Sequence, residues 1–415
     1  MNLRPRLPYD GPPAIVLNAS LSGLGAIRSL GRAGVRVVAM DPDPTRLGFT
    51  SRYAESRPGP HPVREPEAAV ATLLAEADRL DAAATGPATR RPVLSPASDA
   101  YVLLLSRHRE ALAPRFRLIL PPVTAVERGL DKRGLYEMAA RHGVAHADTH
   151  YPENPADVVA LAHHLSYPVY LKPYESHRWA LAFPGAGKGV VAEDASQLVD
   201  AFTRAHAAGI RVMVQAIIVG PVTNIRSVRA YIDADGQVRA AVTNRKLRQY
   251  PTMFGRATLA ETTDDPEVRA LGLGLLQAIG FRGFGLLEFK RDDRDGRLKL
   301  TDLNPRWLKS VNLATAAGVD FPLIHYRDLA GDPLPTLPLD PVPYRVGSRW
   351  WEAAGDIAAA RQLIGAGELT TAAWLRSLAG VRGFASLAVD DPRPFLHEYG
   401  YGRRLLRRPI RRPRQ

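Results

Sequence analysis

The sequence predicts an α/β domain that is followed by an α+β region and a small C-terminal helical block. First, an apolar run, a glycine turn, a helical pattern and a second apolar run follow one another between residues 14 and 41, which is typical of a doubly wound parallel sheet. Second, alternating runs at 227–233 and 238–248 are typical of antiparallel strands. Third, helical patterns recur between 350 and 394, beyond a proline-rich segment at 332–343.

Length and composition indicate a folded protein of two or three domains. The chain has 415 residues, of which 46% are hydrophobic and 23% charged. It contains no cysteine, which excludes disulfides, thiolate catalysis and cysteine-zinc sites. The N-terminus lacks the apolar core of a secretory signal, and no apolar run is suited to spanning a membrane. We therefore expect a cytoplasmic protein with no membrane span.

The net charge of +13 is concentrated at one end of the chain. The last thirteen residues hold seven arginines and no acid, which is just over half of the excess. This pattern predicts a solvated tail. A weak anionic partner for the tail, either nucleic acid or an anionic membrane, is the alternative, and Pro409 and Pro413 argue against a long amphipathic helix there.

The N-terminal elements form a strand, glycine turn, helix and strand that end in Asp41. This order is similar to a dinucleotide-binding unit, but Gly23 and Gly25 are followed by Arg28 where that fingerprint has its third glycine. We therefore favour a structural βαβ opening over nicotinamide binding. Further helices are predicted at 67–80 and 99–112 and further strands at 92–96 and 117–120, so that one doubly wound domain occupies residues 12–125.

The middle of the chain carries several basic residues at the ends of predicted elements. A helix at 131–142 begins with Lys132, and after a second helix at 156–165 a strand at 167–173 contains Lys172. The glycine-rich loop that follows holds Lys188 but lacks the final Ser or Thr of a Walker A loop, so it is a flexible loop suited to covering a triphosphate or a plain hairpin turn. A buried-looking strand at 211–219 contains Gln215. The hairpin strand at 238–248 is expected to place Lys246 and Arg248 on one face.

A second predicted hairpin, with strands at 284–290 and 297–303, carries the residues most suited to a metal. Asp302, Asn304 and Arg306 alternate along the outgoing strand, and Glu288 lies on its partner. Two carboxylates and an amide oxygen are suited to Mg²⁺. For Glu288 to share a face with Asp302, we expect an odd number of residues in the turn, with Gly296 left-handed. An exposed acidic hairpin is the alternative.

The order of these features resembles the ATP-grasp superfamily, specifically carboxylate-amine ligases related to the biotin-carboxylase and carbamoyl-phosphate-synthase type of domain. The resemblance covers residues 14 to about 330, and the stretches NRKLRQYP and LNPRW are among its more specific pieces. It implies a pre-ATP-grasp domain at 12–125, a small lid subdomain at 126–214, and a large subdomain with the metal site at 215–331. A C-terminal extension at 332–402 and the basic tail at 403–415 complete the predicted organisation.

The resemblance also implies roles for single residues. The chain departs from the family at Ala216, where an acid often follows the glutamine, and at Asp302, which is shorter than the usual glutamate. The implied nucleotide-binding residues are Lys132, Lys172, Lys188, Gln215, Ile217 and Ile218; the Mg²⁺ ligands are Glu288, Asp302 and Asn304; and the catalytic residues are Arg306, Lys246 and Arg248.

The implied activity is ATP- and Mg²⁺-dependent formation of an amide or peptide bond from a small carboxylate and a small amine through an acyl phosphate. Phosphoryl transfer requires mainly positioning and charge neutralisation, which matches a site built from lysines, arginine and carboxylates. Two alternatives stay open, namely a catalytically silent ATP-binding regulatory module and an NAD(P)-binding protein. The sequence does not identify the substrates, and a homodimer is left open.

Overall fold

A computed structural model describes residues 11–83, 91–174, 179, 182, 183, 189–334, 336–340 and 342–406, with side chains only to residue 400. Lys188 and the tail residues 407–415 lie outside these ranges, so the predictions made for them stay predictions. Within the described ranges, no helix is both long and apolar enough to cross a membrane.

The N-terminal region is a four-stranded sheet with helices against it. All neighbouring strands are parallel, in the order β3-β2-β1-β4. The predicted strand at 117–120 is wrong, because only a bridge between Val93 and Arg117 forms, and the predicted helix at 99–112 is interrupted at His108. The elements are β1 Ala14–Leu17, α1 Leu21–Arg32, β2 Val37–Asp41, β3 Glu55–Pro58, α2 Pro66–Ala82, β4 Val93–Pro96, α3 Asp99–Arg107 and α4 Arg109–Leu112.

Two helices link this region to the lid; the first was not predicted, and the second confirms the helix predicted at 131–142. They are α5, Val123–Leu130, and α6, Lys132–Arg141, and the side chain of Asp131 between them accepts a hydrogen bond from the Gly134 backbone and so caps α6. The lid sheet has the order β5-β8-β6-β7 and is antiparallel. Its elements are β5 Thr149–His150, α7 Pro155–Ala162, β6 Val169–Pro173, β7 Val190–Ala192, α8 Ala195–Ala207 and β8 Val212–Ala216.

The lid sheet has one face in its own core and one face turned away from it. Val169 and Leu171 of β6 pack with residues of α7 and α8 in a buried cluster. Because side chains alternate along a strand, Tyr170 and Lys172 lie on the opposite face of the same strand. Lys172 therefore lies on the face of the lid sheet opposite the lid core, beside Tyr170, whose ring stacks on Phe254.

The large sheet has seven strands in the order β13-β12-β9-β10-β11-β14-β15. Both predicted hairpins form, and β11 between them in the chain was not predicted. The last two strands come from the C-terminal block, which therefore adds strands to the predicted helices. The elements are β9 Ile225–Ile232, β10 Val238–Tyr250, β11 Arg256–Thr263, α9 Pro266–Ala278, β12 Gly283–Arg291, β13 Leu298–Asn304, α10 Val311–Ala317, α11 Phe321–Ala330, β14 Arg349–Trp351, α12 Ala353–Gly365, α13 Thr371–Ser377, β15 Val381–Phe384 and α14 Arg393–Leu406.

The two faces of the large sheet pack against different parts of the chain. One face, with Val228 and Leu287, packs in a cluster with residues of α6 and α9. The other face, with Tyr231 and Phe284, packs in a cluster with residues of the N-terminal sheet, α10 and α11. Glu288 has the same strand parity as Phe284, so it lies on the face that turns toward the N-terminal domain.

Candidate active site

The hairpin of β12 and β13 places Glu288 directly opposite Asp302. The turn itself does not produce this register, because Arg291 pairs with Leu298 and an even number of residues lies between them. The prediction of an odd-length turn is therefore wrong. A register shift between Glu288 and Phe289 leaves Thr301 as an extra residue in β13, and this bulge turns Asp302 onto the face of Glu288.

Local hydrogen bonds explain why the hairpin folds in this way. Gly296 has a φ of +67°, which confirms the predicted left-handed position. The Thr301 hydroxyl donates to the backbone oxygen of Glu288 at 3.0 Å and satisfies that group beside the bulge. The buried Asp292 accepts hydrogen bonds from Arg294 and Lys299 at 2.6 and 2.7 Å, and these contacts, the Arg294 bond first, hold the pKa of its carboxyl well below the usual range.

Both carboxylates of the candidate metal site have lysine partners. The Lys246 Nζ lies 2.9 Å from Oε2 of Glu288, and these two side chains meet across strand β9, which lies between their own strands. The Lys132 Nζ forms an ion pair with Asp302. These contacts bring together two lysines and two acids that the sequence had placed in four separate elements.

The charges around Asp302 determine its protonation. Burial alone would raise its pKa, but the charge of Lys132 and its hydrogen bond, with smaller contributions from Lys172 and Arg306, lower the pKa to about 2. Asn304 lies close by, with its amide nitrogen 3.3 Å from Oδ2 of Asp302. Asp302 is therefore ionised throughout the neutral range, and Lys172 of the lid acts on the same carboxylate as Lys132.

Arg306 is held at the boundary with the N-terminal domain. Its Nε and Nη2 donate to the two oxygens of Asp99 at 2.7 and 3.1 Å, which is a bidentate pair. Burial opposes the charge of Arg306, but Asp99 outweighs this and raises its pKa. Asp99 lies in the first turn of α3 and was not singled out in the sequence, because nothing local connects it with a residue so far along the chain.

Arg248 does not share a face with Lys246, so this prediction is wrong. Lys246 pairs with Ala260 and Arg248 with Leu259, which are neighbours on β11 and point to opposite faces. Arg248 instead forms a bidentate ion pair with the fully buried Asp356 of α12, at 2.9 and 3.1 Å. Three further donors on that carboxylate are Thr258, Trp351 and Trp374.

The predicted nucleotide-binding residues Gln215, Ile217 and Ile218 lie at the end of strand β8 and just after it, and their polar groups have partners within the chain. The Gln215 side chain donates to the Thr149 hydroxyl at 2.9 Å. The carbonyl of Ile217 accepts from Arg294 at 2.9 Å, and that of Ile218 accepts from Lys290 at 2.7 Å. The hairpin that carries the candidate metal site thus also fixes the segment that connects it with the lid.

The donor set around Glu288 is suited to a hard cation. Within the described ranges, no group of three or more His, Asp or Glu side chains is arranged to hold a metal ion. The chain would instead supply two carboxylates and the amide oxygen of Asn304, which fits Mg²⁺ because that ion takes one or two carboxylates, substrate phosphates and water. Glu288, Asp302 and Asn304 thus fit magnesium when a nucleotide supplies the remaining oxygens.

The N-terminal glycine turn does not fit a nicotinamide site. Asp41, the acid that would hold a ribose, is buried, and its carboxylate accepts hydrogen bonds from the backbone nitrogens of Ala19 and Asp43, each at 2.9 Å. A Cβ on Gly25 would meet Val311 of α10 at 2.4 Å, so this glycine is required for packing. These contacts favour the structural reading of the opening over dinucleotide binding.

Comparison with solved structures confirms the fold class. N5-carboxyaminoimidazole synthetase from Staphylococcus aureus matches with a TM-score of 0.60 and 13% identity over 83% of this chain and 82% of that one. A biotin carboxylase from Campylobacter jejuni, solved as a β,γ-ATP complex, matches with a TM-score of 0.61 and 19% identity over 81% and 74%. The chain therefore has the ATP-grasp fold, and the resemblance seen in the sequence is confirmed at this level.

One curated relative also matches part of the chain. A D-aspartate ligase from Enterococcus faecium (strain Aus0004) is 26% identical over 245 residues, which is 56% of this chain and 57% of that protein. The match thus spans little more than half of the relative's length. No protein-family model matches the chain.

Proposed function

We propose that this chain is an ATP- and Mg²⁺-dependent ligase that joins a carboxylate to an amine through an acyl phosphate. The observation that carries the proposal is the pairing of Glu288 with Asp302 at a point where Lys132 and Lys246 meet them. The fold supports it, because a structural neighbour, the biotin carboxylase domain from Hydrogenobacter thermophilus, was solved with MgADP and bicarbonate. That domain matches with a TM-score of 0.59 and 17% identity over 82% of this chain and 74% of that one.

The residues of the site would have different roles in phosphoryl transfer. Glu288, Asp302 and Asn304 would hold magnesium, which supplies charge neutralisation between the phosphates. Lys132 and Lys172 lie beside Asp302, where they are placed to contact phosphate oxygens, and Lys246 is placed to do so from the Glu288 side. We assign Arg248 a structural role, because Asp356 holds it away from Lys246.

The bond changes follow from the chemistry of carboxylates. A carboxylate oxygen attacks the γ-phosphorus of ATP, the bond to the bridging oxygen breaks, and ADP leaves. The amine then attacks the acyl carbon, phosphate departs with the electron pair of the C–O bond, and the amine loses a proton. Arg306 is placed to steady the anionic substrate group, since Asp99 orients its guanidinium.

The relative suggests an acidic amino acid as one substrate. It is a D-aspartate ligase, and the matched residues cover part of both proteins. We therefore propose amino acids with a carboxylate side chain as the first class to test as the acid, with D-aspartate as the leading compound.

The test is a trap for the acyl phosphate. Purified protein with ATP, Mg²⁺ and hydroxylamine is incubated with a panel of D-aspartate, L-aspartate, D-glutamate, L-glutamate and D-alanine. We expect one acid to give a hydroxamate in equal amount to the ADP released. Glu288→Gln should lower this rate at least a hundredfold, because one magnesium ligand loses its charge.

A matched control separates the site from general damage. Glu267→Gln removes an exposed carboxylate of α9 that pairs with Arg291 at the turn end of the same hairpin and has no contact with Glu288 or Asp302, and it should keep the rate within twofold. Tight MgADP binding without ADP release or hydroxamate from a wide range of acids would replace the ligase proposal with the silent ATP-binding module.

A further inference from the structure

Arg229 is a buried arginine that the proposed chemistry does not use. It lies on β9 with only 2% of its surface exposed. Its Nε donates to Oδ1 of Asn244 at 3.0 Å, and its two terminal nitrogens donate to the backbone oxygen and the hydroxyl of Ser310 at 2.5 and 3.1 Å. All three acceptors are neutral.

Other buried arginines of the described chain have carboxylate partners, and this contrast makes Arg229 unusual. Arg28 pairs with Asp391 and Arg248 with Asp356. No ion pair is formed by Arg229 with any described residue, and burial alone lowers its pKa to about 9. A buried charge without a counter-charge is costly. The presence of an arginine at position 229 therefore needs an explanation other than packing.

The position of Arg229 connects it with the segment that carries Arg306. In the sheet register, Arg229 stands opposite Leu286, which stands opposite Asn304, so all three lie on the face that carries Glu288. Ser310 ends the short segment that begins after Asn304 and includes Arg306. The hydrogen bonds to Ser310 therefore tie the far end of this segment to the central strand of the sheet.

We propose that Arg229 is a positioning residue that fixes the segment 305–310 and thereby sets the affinity for the carboxylate substrate. This inference rests on the proposed function. Arg306 is held at one side by Asp99, and Arg229 holds the same segment from the other side through Ser310. The uncompensated charge of Arg229 adds positive potential at this end of the cleft, where it favours an anionic substrate.

The experiment compares Arg229→Met and Arg229→Lys in the full chain. We expect Arg229→Met to raise KM for D-aspartate, or for whichever acid of the panel gives hydroxamate, at least tenfold. The kcat and the dissociation constant of MgADP should stay within threefold, because the hydrogen-bond partners of Arg229 are Asn244 and Ser310 and not the proposed magnesium ligands. Arg229→Lys keeps the charge but loses the planar guanidinium group that donates to both Asn244 and Ser310. Its KM should therefore lie between those of the unaltered chain and of Arg229→Met.

A second readout does not depend on catalysis. Hydrogen exchange of the peptide 306–314, measured on the full chain without substrate, should become at least tenfold faster in Arg229→Met. The control is Arg226→Met, which removes an arginine of the same strand that faces the other side and pairs with Asp265. Exchange in 306–314 should not change in that variant.

The outcomes distinguish this inference from the proposed function. If the unaltered protein forms a hydroxamate and Arg229→Met changes KM by no more than twofold, Arg229 has no positioning role and the inference is overturned. If no acid reacts but exchange in 306–314 rises as expected, the ligase proposal fails while Arg229 still fixes the segment. Should Arg229→Met not fold, Ser310→Ala removes one of the three contacts and should raise KM two- to fivefold; an unchanged KM there overturns the inference.

Discussion

At the scale of single residues, each acidic side chain of the candidate metal site has a lysine as its ion-pair partner. Lys246 meets Glu288 and Lys132 meets Asp302, so both carboxylates are oriented by an ion pair before a cation is added. On the proposed function, the same lysines would become available for phosphate oxygens once a metal takes over the carboxylates. The two pairs would thus link metal binding and nucleotide binding through the same four side chains.

We expect Lys132→Met to make MgADP binding sensitive to acid. Because the folded pKa of Asp302 is lowered to about 2, its charge is present at neutral pH and is lost only as the pH falls through that value. Without Lys132, burial is opposed only by the smaller effects of Lys172 and Arg306, so the pKa of Asp302 rises and its charge is lost at a higher pH. The ratio of the MgADP dissociation constants of the variant and the unaltered chain should therefore rise about tenfold from pH 8 to pH 4.5, as measured by calorimetry.

ADP itself takes up protons in this pH range, and this changes the dissociation constants of both proteins equally. The ratio of the two constants therefore removes that effect. Arg133→Met is the control, since Arg133 is the next residue of α6 and forms an exposed pair with Glu137. Its ratio should not vary with pH. A ratio for Lys132→Met that is constant from pH 4.5 to 8 would show that Lys132 does not control the charge of Asp302.

At the scale of elements, two register shifts decide which side chains reach the site. The extra Thr301 in β13 brings Asp302 opposite Glu288, whereas the irregular pairing of β10 after Lys246 turns Arg248 away. Alternation in a sequence predicts faces only for regular strands. Both hairpins were therefore predictable, but the faces of their residues near a bulge were not.

The hairpin turn offers a stability test with a matched control. Gly296 and Gly274 both have open space where a Cβ would be added, but only Gly296 has a positive φ, at +67°. Gly296→Ala should lower the free energy of unfolding by about 1 kcal/mol because of the left-handed backbone. Gly274→Ala, in the exposed face of helix α9, should raise it by about 0.5 to 1 kcal/mol.

Urea unfolding followed by circular dichroism measures both changes. The two substitutions add the same methyl group, so their opposite signs isolate the backbone conformation from any effect of side-chain contact. A loss of stability in Gly274→Ala, or no loss in Gly296→Ala, would contradict the assigned conformations.

At the scale of the whole molecule, the sequence predicted the parallel N-terminal sheet and both hairpins because these depend on local patterns. Glycines, prolines and alternation identify elements, and Glu288, Asp302 and Asn304 lie within one hairpin. It could not predict that Arg306 meets Asp99, which is 207 positions away, or that Arg28 meets Asp391, which is 363 positions away. Such contacts depend on how domains pack, and one sequence carries no signal for them.

The contact of Arg28 with Asp391 explains the departure from the dinucleotide fingerprint, and it is expected to stabilise the whole molecule. Arg28 Nε donates to the Asp391 carboxylate at 2.9 Å, and both side chains are buried, with 3% and 0% exposed. Arg28→Met should therefore lower the free energy of unfolding by about 3 kcal/mol, because Asp391 is left buried without its counter-charge. Arg32→Met removes a neighbouring arginine of the same helix that pairs with Asp390 at the surface, and it should cost at most about 1 kcal/mol. Urea unfolding measures both changes in the free energy of unfolding, provided that the dependence on urea concentration is the same for each protein. Equal losses in the two variants would mean that the buried pair does not hold the C-terminal block onto the N-terminal domain.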